Sequence, residues 1–533
     1  MEKITLFVIL FLTTVIANAQ APNWEWVHDA EISGSGSVTP EASEIDSNGN
    51  IYIVGRFVGT VNFGAGTTLV NSTTDVKSFI VKYSPGGEVL WGKTAASPIE
   101  NSAASITIDN DNNLYVTGRF TNAITFDTVT LENPGEDKIY IVKFNGQGNC
   151  IWAKTMQASF MQVGEITADS NNNIYVTGEF GGNSLQLDNA ILYNIEPISI
   201  DLFFIKLSNN GDVIWAKRQG GTGNEFGDAI ITDTQGNIYI MGEFTAPGLS
   251  IGGTMLPCET NKVYSLVAKY NSNGSAVWAK SQIKDYGMSS AIKLDSQGNV
   301  ITLGTFTAPS VLISNTAHTT LGESDVILAK YNNDGVVIWS KQLGGTNVDW
   351  SSDLTIDNQD NICVSSVSYS NTFNVSSVSE NLTHYGNAVI TKLNSNGDFV
   401  WTKIFGSGSG IDVRSILYDG EHLVACGGYV SNAYIDNLSF ESNSTNFFLA
   451  RATADTMGLD GVQMQQIGIW PNPSNSVINV NNLEPNSSYV INDITGRIIK
   501  KGNMTNSEID ISSFTNGMYI FNCNGLSSKF IKE

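Results

Sequence analysis

Residue types that do most enzymatic chemistry are sparse in this 533-residue chain. The four histidines, His28, His318, His384 and His422, form no HExxH pair and no Cys/His ligand set. Cys150, Cys258, Cys363, Cys426 and Cys523 are scattered, odd in number and without a CxxC. No disulfide framework is expected, and Cys363 and Cys426 read as small core residues. There is no Gly-x-Ser-x-Gly elbow and no P-loop. Gly220-Gly221-Thr222-Gly223 lies between strand-like runs, where no helix start is available to cradle a phosphate. Asp109-Asn110-Asp111-Asn112-Asn113 imitates the start of a calcium loop, but it lacks the central glycine and carries Phe120 where the last carboxylate belongs. The sequence therefore assigns no catalytic residue, no metal and no organic cofactor.

One constellation stands out. Glu225-Phe226, Asp285-Tyr286 and Asp349-Trp350 repeat a carboxylate–aromatic pair in three successive connections. The next connection holds Asp412-Val413, and those after Lys93, Lys154 and Lys403 lack the pair. Aromatic rings offer flat platforms for the C–H faces of a sugar, and carboxylates accept hydrogen bonds from its hydroxyls. These six residues are the candidate ligand-binding set. The competing reading is that the aromatics plug the inner ends of the repeats while the carboxylates cap turns.

The elements that must position them form a repeat. Trp26, Trp91, Trp152, Trp215, Trp278, Trp339 and Trp401 recur about every 62 residues. Each complete copy has four short runs rich in β-branched and aromatic residues, exemplified by Ser105 to Ile108 (A), Leu114 to Phe120 (B), Ile139 to Phe144 (C) and Cys150 to Lys154 (D). No segment shows sustained helical periodicity. The A–B turn reads Asp-x-x-[Gly/Asn/Asp]-Asn, with Gly49, Asn112, Asn172, Gly236, Gly298 and Asp360 in the slot that tolerates a left-handed backbone. The C–D turn carries a glycine four residues before the Trp, as in Gly87 and Gly148. The repeated lysines of strands C and D are spread round the copies and read as stems packed on sheet faces, with paired or solvated charges.

Four antiparallel strands per copy predict a seven-bladed β-propeller. Six copies are complete, and the seventh lacks a D strand. Trp24 to His28 supplies it, pairing with Phe447 to Arg451 and sealing the ring against open edges. The A–B and C–D turns share one face of the disc. The longer D–A and B–C connections share the other, which is the expected place for a site. The Asn-Ile-Tyr-Val-Thr-Gly-x-Phe and Gly-x-Val-x-Trp-Ala-Lys motifs resemble bacterial SBBP repeats over roughly residues 24–452. That resemblance implies an exported propeller and no particular reaction.

After Ala452 the repeat stops. Residues 453–466 read as a linker, and 467–533 as a small domain of short alternating strands, expected to be a β-sandwich. Its Pro471-Asn472-Pro473 entry, Asp493-x-x-Gly496-Arg497 turn, Gly517-x-Tyr519 strand and basic end at Lys529 resemble the type A C-terminal sorting domain of the type IX secretion system, with Trp470 in place of the usual Tyr. The resemblance implies two-step export via the periplasm, handling by the secretion machinery and removal of this domain at the outer membrane. At the other end, Glu2 and Lys3 precede an apolar run ending in Ala17-Asn18-Ala19, which reads as a signal peptide over 1–19 cleaved after Ala19. The expected propeller domain is then 20–452.

With 28 basic against 51 acidic residues the net charge is −23, which disfavours nucleic acid and anionic membranes as partners. No other stretch has the length of a membrane span, so none is expected in the mature protein. The chain therefore reads as a secreted or cell-surface recognition or adhesion protein. Its expected partners are the secretion machinery and an extracellular glycan or surface protein. A propeller enzyme acting on polysaccharide, hydrolase or lyase, is the alternative. A quinone-dependent dehydrogenase is a more distant third.

Overall fold

The computed structural model describes residues 21–453 apart from 246, 285, 286, 308, 315 and 437, and residues 469–533 apart from 471, 481–486, 494–496, 505–507 and 524–525. The signal segment with Ala17 and Ala19, the linker from 454 onward, Pro471 and Gly496 lie outside the described residues. All regular structure among the described residues is β, and the chain divides into units 1–454 and 455–533.

The first unit is a seven-bladed propeller. Blade 2 shows the plan: Asn101–Ile108 (strand A), Leu114–Phe126 (B), Val129–Phe144 (C) and Cys150–Gln157 (D) pair in sequence as an antiparallel sheet. The A strands of the seven blades begin at Glu31, Asn101, Phe160, Glu225, Gly287, Asp349 and Ile411. Each packs against the next, and Ile411–Tyr418 of blade 7 packs against Glu31–Ile45 of blade 1, so the ring closes. Trp24–Asp29 forms the fourth strand of blade 7, with Trp26 opposite Arg451 and His28 opposite Leu449.

Each A–B hairpin is tied by its aspartate. Asp109 accepts hydrogen bonds from the N–H groups of Asp111 (3.0 Å) and Asn113 (2.9 Å) and from the Tyr115 hydroxyl (2.9 Å). Lys143 stands 3.6 Å away and its ammonium lies over the Tyr115 ring. The same knot recurs at Asp46 and Asp169, and without the tyrosine, whose place Cys363 takes, at Asp357. There burial pushes the carboxyl up, but the converging donors outweigh it and hold all three below the usual carboxylate range.

The repeated residues also join the blades. Lys143 and Trp152 of blade 2 both donate to the Asn209 carbonyl in the C–D turn of blade 3 (3.0 and 3.2 Å). The Trp91 ring of blade 1 lies on Gly148 of blade 2, where an added Cβ would sit 3.1 Å from it. Glycine at 148 thus satisfies both a positive φ of 79° and a close ring. The seam repeats the arrangement with substitutes. Trp26 covers Gly87, and Arg451 replaces the strand C lysine, pairing with Asp419 at 3.0 Å and donating to the Pro85 carbonyl of blade 1. Blade 7 has no C–D turn, so Lys403 of blade 6 donates instead to the Pro22 carbonyl (2.7 Å), with its ammonium over Trp24.

Several B–C connections are more than loops, and in blade 7 the outer end of His422–Ile435 pairs with strand D of blade 6. The hairpin Ser184–Leu187/Ala190–Tyr193 of blade 3 pairs with strand D of blade 2. Thr372–Val375/Val378–Asn381 of blade 6 does the same for blade 5. Each covers part of an outer edge that would otherwise stand unpaired. None of the five cysteines is in a disulfide.

The second unit is a small sandwich. One sheet holds Ile469–Trp470, Val477–Val480 and Glu508–Asp510, and the other Ile498–Asn503, Ser488–Asp493, Gly517–Cys523 and Leu526–Lys532. Ile478, Ile491, Tyr519, Phe521 and Phe530 fill its core.

Candidate functional site

The A strand of every blade carries a β-bulge that leaves a backbone N–H without a ladder partner. Strand A is also the innermost strand, and beyond the bulge side chains from the preceding blade reach N–H groups on its open edge. Glu165 accepts from Ile230 (2.8 Å), Asp353 from Ile416 (3.0 Å) and Ser105 from Ile166 (3.3 Å). Glu44, Glu165 and Asp353 therefore face the tunnel axis, together with Lys293 of blade 5. Burial pushes the Glu165 carboxyl up to about 7. Burial alone would lower the Lys293 ammonium, but Glu165, Asp353 and Glu44 together raise it. Among the described residues no carboxylate, His or Cys cluster has the geometry to hold a metal ion.

The tunnel opens at the A–B face into a polar cavity of about 840 Å³, lined among others by Glu44, Lys293, Asn358, Tyr418 and His422. The tight-turn face was not the expected place for the larger hollow. Part of its wall is the Asp419–His422–Arg451 cluster of blade 7.

Of the candidate residues from the sequence, Glu225, Phe226, Asp349 and Trp350 lie at the opposite mouth. Glu225 and Asp349 are each 0% exposed and open strand A of their blades. Glu225 accepts from the Gly221 N–H at 2.9 Å. Asp349 accepts from the Gly345 N–H (2.6 Å) and from the Ser368 and Ser370 hydroxyls. Both carboxylates thus close the Gly-Gly-Thr connections that precede them, as the capping reading had it, and neither presents an oxygen to solvent. Burial pushes Glu225 up to about 7 and Asp349 up to about 6. The aromatic partners differ. Phe226 is partly exposed, and Trp350 is 46% exposed. Asp285 and Tyr286 lie outside the described residues. No contact joins the pair of blade 4 to that of blade 6 among the described residues.

Trp350 belongs to a row that the sequence did not reveal. Its ring meets Tyr369 edge-on at 5.9 Å, and Tyr369 meets Tyr385 edge-on at 5.6 Å. Tyr385 is 73% exposed. Beside it His384 stacks on Tyr434 at 4.9 Å and packs against Gly406, where any side chain would collide with the imidazole. Strand pairing and the order of blades bring these rings to one face of blades 6 and 7. Tyr385 and His384 sit in the B–C connection, outside the repeated runs, so the repeat carries no signal for them.

The same register position on strand B carries Arg56 in blade 1, Arg119 in blade 2, Glu179 in blade 3 and Glu243 in blade 4, opposite Thr39, Ser102, Gln162 and Phe226 of strand A. Asp228 sits at the bulge between Glu179 and Glu243. Burial first, then those two neighbours, push its carboxyl well up, and its Oδ2 has no hydrogen-bond partner. Burial pushes Glu179 up to about 7.

In the second unit the sorting-motif residues have visible roles. Asn472 accepts from the Ile531 N–H (2.9 Å) and donates to the Lys529 carbonyl (3.1 Å). Asp493 receives both the N–H and Nε of Arg497 (3.1 and 3.0 Å). Tyr519 is buried and its hydroxyl donates to Thr515. The Arg497 and Lys529 side chains point to solvent. This segment, over residues 468–533, matches the secretion system C-terminal sorting domain. Residues 468–533 are a sorting domain. It is handled by the type IX secretion machinery, and the protein is secreted or held on the outer-membrane cell surface. No helix among the described residues is long and apolar enough to cross a membrane.

The chain is similar in sequence to an uncharacterized WD repeat-containing protein of Acanthamoeba polyphaga mimivirus, 27% identical over 360 residues, covering 55% of this chain and 26% of that one. The chain thus spans about a quarter of the relative it matches. Among solved structures it is similar to an ulvan lyase (TM-score 0.41, 12% identity, 75% of this chain and 93% of the other). It is also similar to the endosialidase of phage phi92 (TM-score 0.37, 10% identity, 95% and 87%). A third likeness is YCF48 bound to a D1 peptide (TM-score 0.38, 8% identity, 83% and 100%).

Proposed function

We propose that this is an extracellular recognition protein that binds a glycan at the D–A mouth of its propeller. The observation that carries the reading is the row Trp350–Tyr369–Tyr385, exposed at both ends and half-buried at Tyr369. Isolated exposed aromatics are ordinary on a protein surface, but a contiguous row held edge to face offers successive stacking platforms. Glu225 and Asp349 support the row by fixing the loops, and Phe226 extends the aromatic rim toward blade 4. Signal cleavage after Ala19 and removal of residues 467–533 belong to the same proposal, since both would deliver the propeller alone to its ligand. Binding to a polysaccharide panel by affinity electrophoresis tests the reading. Trp350→Ala and Tyr385→Ala should each retard less while melting within a few degrees of wild type. Retardation that survives the double change refutes it.

A second reading, a polysaccharide-cleaving enzyme, draws on Asp228 and Glu179. Their raised carboxyls beside Glu243 are the kind of pair that can hold a proton near neutral pH. Release of reducing or unsaturated ends from the panel, abolished by Asp228→Asn, would favour it over binding alone.

A further inference from the structure

The mouth that carries the aromatic row is also where arginine concentrates. The chain has six arginines, and Arg56, Arg119 and Arg414 all stand here, on blades 1, 2 and 7. Two adjoining cavities, of about 280 and 190 Å³, are both lined by Arg56, Arg119 and Ser102. The larger exists because blades 2 and 3 have Ala104 and Gly164 at the bulge position, where blades 1, 4 and 7 have Glu41, Asp228 and Arg414.

The three guanidiniums are not equivalent. Arg414 is spent on the protein, pairing with Glu41 (2.7 Å) and Asp412 (2.9 Å). Arg56 meets Glu41 through Nε at 3.3 Å, which anchors the side chain and leaves its two terminal nitrogens for another acceptor. Arg56 and Arg119 are both exposed, Arg119 while also engaged within the protein. Among the described residues the acidic groups lining the cavities are Glu41, already shared between Arg56 and Arg414, and Glu100 in the smaller one. In a chain of net charge −23, two exposed guanidiniums lining a common hollow are a local exception.

We infer that the glycan bound at this mouth is acidic, its carboxylate or sulfate groups held by Arg56 and Arg119 while its sugar rings stack on the aromatic row. Guanidinium presents paired N–H donors that match both oxyanions. Blades 6, 7, 1 and 2 are consecutive, so aromatic platform and anion hollow lie on one arc of the rim, as a polymer crossing it would require. Glu179 and Asp228, on the far arc, are held toward the protonated form, which lessens their repulsion of an anion. This inference rests on the glycan reading above.

The test compares a neutral glucan, a polyuronate and a sulfated galactan on the full-length chain at low and physiological salt. One or both acidic polymers should bind, at least about tenfold more tightly than the glucan, with affinity falling as salt rises. The two acidic arms tell carboxylate from sulfate. Arg56→Gln with Arg119→Gln should abolish the preference, and Arg56→Lys, which keeps charge but not the fork, should restore part of it. If Arg119→Gln disturbs folding, Arg56→Gln alone should still cut the preference severalfold. Glucan binding that depends on Trp350 but not on the arginines overturns this inference and spares the glycan reading. Acidic binding indifferent to both arginines also overturns it. Binding of none of the three polymers counts against both.

Discussion

Trp26→Ala tests how the ring is held shut. Trp26 is half-buried, lies against Gly87 of blade 1 and tilts over His28 at 4.9 Å. Full truncation of a core tryptophan costs about 3–5 kcal/mol, so a half-buried one should cost roughly 2–3 kcal/mol. At about 2.1 cal/mol/K per residue, a unit of roughly 430 residues has an unfolding entropy near 0.9 kcal/mol/K, so the melting temperature should fall by about 3 °C. Trp152→Ala, with its ring on Gly211 inside the covalent ring, is the matched control and should lose a similar amount. Proteolysis should separate the two. The strand Trp24–Asp29 joins blade 7 by non-covalent contacts only, its pairing with Leu438–Thr453 and a few side-chain bonds such as Tyr429 to Asp29, so weakening it permits local opening without global unfolding. Limited proteolysis under native conditions should accelerate severalfold for Trp26→Ala, with first cuts near the N-terminal strand, and little for Trp152→Ala. Equal rates for the two variants would refute the argument that the seam is the propeller's weakest joint.

The remaining predictions concern charge. Folded Glu179 and Glu225 lie near 7, above the unfolded carboxylate value, so their stabilising share is complete below about pH 4.3 and is lost as pH rises toward 7. Asp46, Asp169 and Asp357 are held low, so their share is complete above about pH 3.9 and disappears on further acidification. The melting temperature should therefore peak between about pH 4 and 6 and be lower at pH 8, and a monotonic rise to pH 8 in calorimetry would contradict this. Lys293→Met leaves three tunnel carboxylates without their cation and should destabilise by about 3–5 kcal/mol at pH 8. The loss should be smaller at pH 5, where those groups take up protons, and equal losses at both pH values would count against the tunnel network. Asp109→Ala removes the hub of one hairpin knot and should cost about 1–3 kcal/mol, read from the denaturant midpoint.

The architecture was legible because it is written many times over. Asp-x-x-Gly/Asn-Asn turns, strand C lysines and Trp-x-Lys strands recur in register, so chance cannot account for them, and even the missing D strand could be found at Trp24 to His28. The tunnel was illegible for the converse reason. Glu44, Glu165, Lys293 and Asp353 each occur in a single blade, and comparing repeats averages such residues away. The same averaging hid Arg56 and Arg119 in the variable slot of Gly-x-Phe. For Glu225 and Asp349 the sequence showed a carboxylate beside an aromatic, but not which way each side chain turns. In a strand, neighbours face opposite sides, so the same placement that buries the acid exposes the ring. His384, Tyr385 and the outer hairpins lie in B–C connections of irregular length, where no periodic signal exists.

Because blade 7 takes three strands from residues 411–453 and its fourth from residues 24–29, the first part of the propeller to emerge from a ribosome or a translocon is the last to find its partner. Blades 1 to 6 can assemble in order as they appear, but Trp24–Asp29 must wait, unpaired, for Leu438–Thr453, more than 400 residues later. The step that makes the disc whole thus coincides with arrival of the chain just ahead of the sorting domain. A transport apparatus that engages the last segment would then meet a propeller only moments after it becomes able to close. A circular permutant that moves Trp24–Asp29 behind residue 453 through a short turn would end the wait, and would separate the speed of ring completion from the stability of the finished ring.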